Sequence, residues 1–262
     1  MSTINVIILR TAGTNCDQET AYAFEKAGAR PELVHINALR KGERSLKDYQ
    51  ILAIPGGFTY GDDIASGKIV ANELKFMLEE SLQRFVTDGK LVIGICNGFQ
   101  VLVKSCFLPN LSGNFHSYEA TLTLNDSDKF EDRWVYLKKG QGKCVWTKGM
   151  KEIIHLPVAH AEGKFVPRDA AVLKKLKQEG LIVFSYTDEK GKRTNYPGNP
   201  NGSVESIAGI CDRSGRIFGL MPHPERYIDR YQHPCWTRKN TDEKGDGLAI
   251  FKNGVDFAKK HL

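Results

Sequence analysis

Four nearly continuous apolar runs, rich in β-branched residues, constrain this chain more than any other feature. They are "INVIIL" at Ile4–Leu9, "ELVHI" at Glu32–Ile36, "ILAI" at Ile51–Ile54 and "LVIGI" at Leu91–Ile95. A strand with one wet face alternates apolar and polar residues. A continuous run has no wet face and suits a parallel sheet covered on both sides. Between the first two runs lies "NCDQETAYAFEKAGAR", a helix with Asn15 or Asp17 as N-cap and Gly28 near its stop. Between the third and fourth, "IVANELKFMLEESLQRFV" predicts a single helix. Its apolar stripe is Val70, Leu74, Met77, Leu78, Leu82 and Phe85, opposite Glu73, Glu79, Glu80 and Arg84, and Asp88-Gly89 turns the chain into the next strand. This alternation predicts a doubly wound α/β fold with a mostly parallel sheet and helices on both faces.

Beyond a helix opened by Gly98 ("GFQVLVK") the pattern changes. "YEATLTLN", "RWVYLKK" and "GKCVW" predict added antiparallel strands, followed by a helix in "RDAAVLKKLKQEG" and a strand in "LIVFSY". Thr187–Ser203 is a loop by its Gly, Pro and Asn content. "SIAGICDRSGRIFGLMP" is a hairpin turning at Asp212–Gly215, and a helix over roughly Leu248–Lys260 closes the chain. No boundary divides residues 1–262, so the second half is expected to decorate the same sheet. None of the apolar runs approaches the ~18 residues of a membrane span, and Ile4–Leu9 lacks the flanks of a signal peptide. The six cysteines form no CxxC pair, which suits reduced thiols in the cytoplasm. The net charge of +6 is spread over scattered lysines and implies no nucleic-acid or membrane partner.

The stretch "LVIGICNGFQ" (Leu91–Gln100) runs a strand straight into Cys96 and then into a helix, the pattern of a nucleophile elbow. Such a turn lifts the thiol out of the packed layer, and the helix N-terminus behind it favours the thiolate. Most cysteines are small core residues, so the elbow alone does not decide the matter. A base is available at His223 in "GLMPHPERY", with Glu225 two residues on. In an extended, Pro-flanked segment the two share a side, and the carboxylate orients the imidazole. An isolated His-x-Glu is usually a surface ion pair; joined to an elbow cysteine it completes a nucleophile, base and orienting acid. In "IPGGFTYGDD" after the third strand, the Gly57 amide is a candidate oxyanion donor together with the Asn97 amide just after the nucleophile.

"GICNGFQ" and "HPE" together resemble the Cys-x-Gly-x-Gln elbow and His-x-Glu pair of the class I glutamine amidotransferases. Six further segments resemble, in order, the branch formed by the glutaminase subunits of phosphoribosylformylglycinamidine synthase. They are "GTNCDQET", "PGGFTYGDD", "NDSDKFEDRW", "AHAEGKF", "NPNGS" and "GLMPHPER". The resemblance implies a Cys96–His223–Glu225 triad that hydrolyses glutamine through a thioester and supplies ammonia for purine biosynthesis. It also implies that Gln100, Asn125, Ser127 and Phe130 hold the amino-acid end of the substrate. No cofactor is expected in this chain, and ATP and Mg are expected on a large synthetase partner, joined by a small third subunit. Two departures stand out: Asp132 where the family often has cysteine, and a longer segment at "PNLSGNFHSYEATL".

Other signals are weaker. "GDDIASGKI" has the wrong spacing for a phosphate loop and predicts a helix start. His155, His160, His233 and Cys235 lack zinc-site spacing, and no metal site is expected. His160 and Glu162 are weak candidates for partner contact. The elbow also fits a stress-type cysteine protein or peptidase, against which stand Gln100 and the C-terminal His-x-Glu. A catalytically silent scaffold subunit would have no need of Cys96, His223 and Glu225 together.

Overall fold

The computed structural model describes residues 3–238 and 244–262. Its first half alternates strand and helix: β1 (Asn5–Arg10), α1 (Asp17–Lys26), β2 (Arg30–His35), the short α2 (Ile36–Arg40), β3 (Ile51–Ile54), α3 (Lys68–Met77), α4 (Glu79–Thr87), β4 (Leu91–Ile95) and α5 (Asn97–Lys104). The second half contains β5 (Ala120–Leu124), β6 (Glu131–Lys139), β7 (Ile153–His160), β8 (Glu162–Pro167), α6 (Ala170–Gln178), β9 (Ile182–Thr187), β10 (Ile207–Cys211), β11 (Ile217–Leu220) and α7 (Leu248–His261).

Nine strands form one sheet in the order β2-β1-β3-β4-β11-β10-β9-β6-β7, and β5 and β8 pair separately. The pairings from β2 to β11 are all parallel, and those from β11 to β7 are all antiparallel. The fully buried runs of β3 and β4 occupy the parallel half, as their continuous apolar sequence requires. The crossovers β1–α1–β2 and β3–α3–α4–β4 step in opposite directions. With right-handed connections this puts α1, which packs on α7, and α3, which packs on α5, on opposite faces. Phe24 of α1 meets Phe251 of α7 edge-on at 5.0 Å. The direction reverses between β1 and β3, so the crevice at their carboxyl ends is the natural ligand site of such a sheet.

Three expectations need correction. The long helix is two: Leu78 (φ −126°, ψ 10°) leaves helical geometry between α3 and α4. The break keeps Leu78 buried and turns Met77 outward, so the stripe continues with one member lost. "GKCVW" is no strand but a loop ending in a 3-10 turn at Val145–Thr147, which sinks Trp146 into the core with its indole N–H on the Arg216 carbonyl at 2.9 Å. The residue capping α1 is Cys16, with no side-chain cap bond, whereas Asp17 starts the helix and pairs with Arg10 at 2.5 Å. β7 was not expected, although its burial alternates residue by residue along Ile153–His160.

Candidate active site

Four adjacent parallel strands deliver the site from their carboxyl ends. β1 leads to Cys16, β3 to Gly56-Gly57, β4 to Cys96 and β11 to His223. Cys96 stands between β4 and α5 at φ 50° and ψ −105°, a conformation that side chains rarely adopt and that persists only where surrounding packing enforces it. That packing is visible. A Cβ on Gly98 would lie 1.9 Å from the Ile54 carbonyl oxygen, so only glycine lets the first turn of α5 rest on β3. The Cys96 amide donates to the Leu220 carbonyl at 2.8 Å, tying the elbow to the strand that carries the histidine. The Cys96 thiol approaches the Ala159 carbonyl at 3.7 Å.

His223 is buried, and its Nδ1 lies 2.7 Å from Oε1 of the buried Glu225. A carboxylate accepts only, so Nδ1 carries the proton of the neutral ring and Nε2 is left as the basic nitrogen. That Nε2 has no protein partner, and neither does Glu225 Oε2. Burial works against charge on His223. The charges of Glu225 and Cys96, with the neighbouring Cys16 and Cys96 sulfurs, overcome it and raise its pKa well above the ordinary value.

The amides of Gly57 and Asn97 donate to no group among the described residues, which leaves both available to an incoming oxyanion. Asn97 is pinned by its side chain: Thr59 Oγ1 donates to its Oδ1 at 2.7 Å, and its Nδ2 donates to Asp62 and to Gln100 at 3.2 and 3.0 Å. Burial pushes the Asp62 carboxyl up.

A family model of the CobB/CobQ-like glutamine amidotransferase domain matches residues 3–258. The chain is 49% identical to the phosphoribosylformylglycinamidine synthase subunit PurQ of Dehalococcoides mccartyi, over 99% of this chain and 100% of that one. It is 43% identical to the subunit of the same name from Methanococcus maripaludis, over 97% of each chain. The chain belongs to this family of glutamine amidotransferases. Among solved structures it resembles a chain of PurLQS from Thermotoga maritima with a TM-score of 0.73, at 28% identity over 98% of this chain and 99% of that chain.

The remaining expected residues of this amidotransferase fall in two groups. Phe130 sits half-exposed at the rim, its ring 6.1 Å from that of Phe58, and Ser127 donates to Glu131 at 2.6 Å. The side chains of Gln100 and Asn125 are instead taken up by protein. Gln100 donates to the Glu162 carbonyl. Asn125 donates to the Lys129 and His160 carbonyls at 2.9 and 2.8 Å, and its Oδ1 accepts from the Gly163 amide at 3.0 Å and His160 Nδ1 at 3.2 Å. Every hydrogen-bonding position of the Asn125 amide is filled, so that side chain braces the 160–163 segment, and the Gln100 amide is tied to the same segment through the Glu162 carbonyl. His160 is an interior group, 3% exposed, and so no partner contact, whereas the half-buried Glu162 pairs with the buried Lys104 at 3.5 Å. Burial, with the adjacent His223, depresses the His160 pKa to about 3.

Sequence reasoning passed over Cys16, which lay inside a quoted family-like segment but carried no chemical pattern of its own. Among the described residues, Cys16, His223 and Glu225 form the one group whose ligand atoms, all within 4.8 Å of one another, could hold a metal ion. Two of the three are the expected base and its expected orienting acid.

Proposed function

We propose that this chain is the glutaminase subunit of a phosphoribosylformylglycinamidine synthase and supplies ammonia to an ATP-dependent synthetase in purine biosynthesis. The observation that carries this reading is the convergence of nucleophile, base and free amides at the ends of three neighbouring strands, in a chain related over its full length to PurQ subunits. The Cys96 sulfur attacks the side-chain amide carbon of glutamine while the Gly57 and Asn97 amides take the developing oxyanion. His223 Nε2 accepts the thiol proton and passes it to the departing nitrogen, so ammonia leaves and a thioester remains. Water, deprotonated by the same Nε2, attacks the thioester, and glutamate and the free thiol are released. Glu225 fixes the ring and stabilises its cationic form throughout.

Partners follow from the same relationship: a large synthetase subunit and a small third subunit, as in the PurLQS assembly. ATP and Mg belong to the synthetase, and this chain's chemistry uses its own side chains and backbone amides with water. No helix among the described residues is long and apolar enough to cross a membrane, and reduced thiols favour a cytoplasmic setting. A glutamine-shaped chloroketone tests the site directly. One adduct on Cys96, prevented by excess glutamine, supports the reading. Labelling elsewhere, or none, in the chain assembled with its synthetase contradicts it.

A further inference from the structure

We propose that Cys16 is a positioning residue for the general base, its thiol standing beside the His223 imidazole as a second support in addition to Glu225. The proposal rests on the glutaminase reading and adds to it a fourth strand end, that of β1. The Cys16 amide donates to the Gly56 carbonyl at 3.2 Å, which fixes the loop after β1 against the loop after β3. Its sulfur is buried and lies within 4.8 Å of both the His223 ring nitrogen and the Glu225 carboxylate oxygen. Gly56 makes this approach possible. A Cβ there would stand 2.8 Å from His223 Cε1, 3.2 Å from the Cys16 sulfur and 3.4 Å from His223 Nδ1.

A buried cysteine at a helix start ordinarily fills space, and alanine or valine fills space as well. The surroundings of this sulfur are polar. The thiol donates to Asn15 Oδ1 at 3.2 Å, and the sulfur accepts from Arg226 Nη2 at 3.2 Å; Arg226 also pairs with Glu19 at 3.1 Å. With its proton directed to Asn15, the sulfur presents lone pairs to the guanidinium and the imidazole. A single Nδ1 hydrogen bond leaves an imidazole free to rock about that contact. A second contact beside the ring, from a sulfur within 4.8 Å of a ring nitrogen, stops the rocking and keeps Nε2 aimed for proton transfer, where small misplacements are costly. The same lone pairs favour the charged ring, in keeping with the contribution of Cys16 to the raised basicity of His223.

The titratable groups that face this ring are Glu225 on its own turn, Cys96 on the elbow, Cys16 at the start of α1 and His160 on β7, and Arg226 on the same turn acts on Cys16 and Glu225. His160 remains neutral through the working range, so the alkaline limit of proton donation to the leaving ammonia belongs to the His223–Cys96 pair. Removing an acceptor that favours the imidazolium moves that limit to lower pH.

The test is the pH dependence of kcat and KM for glutamine hydrolysis by the chain assembled with its synthetase, compared among the parent, Cys16→Ala and Cys16→Ser. The expected result for Cys16→Ala is a kcat lower by about tenfold, KM within about twofold and an alkaline limb displaced downward, with Cys16→Ser restored to within about threefold of the parent. An unshifted limb with parental kcat in Cys16→Ala overturns the proposal, and so does a Cys16→Ser variant as impaired as Cys16→Ala, which would make the role one of packing. If Cys16→Ala does not fold, the limb of Cys16→Ser decides: recovery supports the role and a loss without a shift overturns it. A parent chain with no Cys96-dependent hydrolysis overturns the glutaminase reading and this proposal with it, whereas a normal parent with unaffected variants overturns the role of Cys16 alone.

Discussion

At the scale of single residues, the account turns on Cys96, His223 and Glu225. Replacing Cys96 by alanine removes the only sulfur at the elbow, so glutamine hydrolysis should fall by at least about a thousandfold while the fold and synthetase binding persist. Far-UV circular dichroism beside an ammonia assay checks both halves, and hydrolysis at the parental rate contradicts the mechanism. Glu225→Gln tests the orienting acid. An amide can donate to Nδ1 and so favour the wrong tautomer, leaving the proton on Nε2; kcat should drop by about a thousandfold or more, with KM little changed. His223 also leaves a mark on stability. Its folded pKa lies above the ordinary value of about 6.5, so folding takes up a proton there, and the associated stability is full below about pH 6.5 and fades as pH rises through the raised value. Urea unfolding of parent and His223→Gln at several pH values should therefore show a difference that shrinks toward alkaline pH.

At the scale of elements, the site depends on how closely α5 rests on β3 and β4. Gly98→Ala forces a Cβ into the Ile54 carbonyl and lifts the first turn of α5, so a loss of about 3 kcal/mol is expected by chemical denaturation. A substitution tolerated without cost would mean that the elbow does not need that contact. β1, β3 and β4 were legible because burial on both faces leaves continuous apolar runs, whereas β2, read as covered on both faces, is the half-exposed edge strand; α5 was legible because an elbow has a short, local signature. The break at Leu78 was not, because no glycine or proline marks it and both half-helices bury the same stripe. β7 carries His155 and Pro157 on its half-exposed face, which interrupt the apolar run and hid its period from a search for long apolar runs. "GKCVW" has the composition of a strand, but burial of Trp146 against Gly254 of α7 took precedence over local propensity. In the site, the grouping of Cys96, His223 and Glu225 could be read because the chemistry expected of them is specific to residue type. Gln100 and Asn125 could not be assigned from type alone, since an amide bracing a backbone and an amide binding substrate look the same in sequence.

At the scale of the molecule, one sheet organises both halves: its parallel side supplies the loops of the site, and its antiparallel side carries β7, whose end closes over Cys96 and places His160 beside His223. A neutral imidazole buried there has a cost in acid. The unfolded chain binds a proton at His160 below about pH 6.5 and the folded chain only near pH 3, so stability should fall across that window by on the order of 4 kcal/mol from this group. His160→Gln, measured by unfolding at pH values within the window, should show a shallower decline; an identical slope would place the acid sensitivity elsewhere. The central claim is that this chain makes ammonia for a synthetase partner, and it is tested most directly by ammonia release from glutamine with and without that synthetase, beside the Cys96→Ala variant. The account predicts release that requires Cys96 and rises sharply when the synthetase is present. No release in either condition, or release that persists in Cys96→Ala, would contradict it.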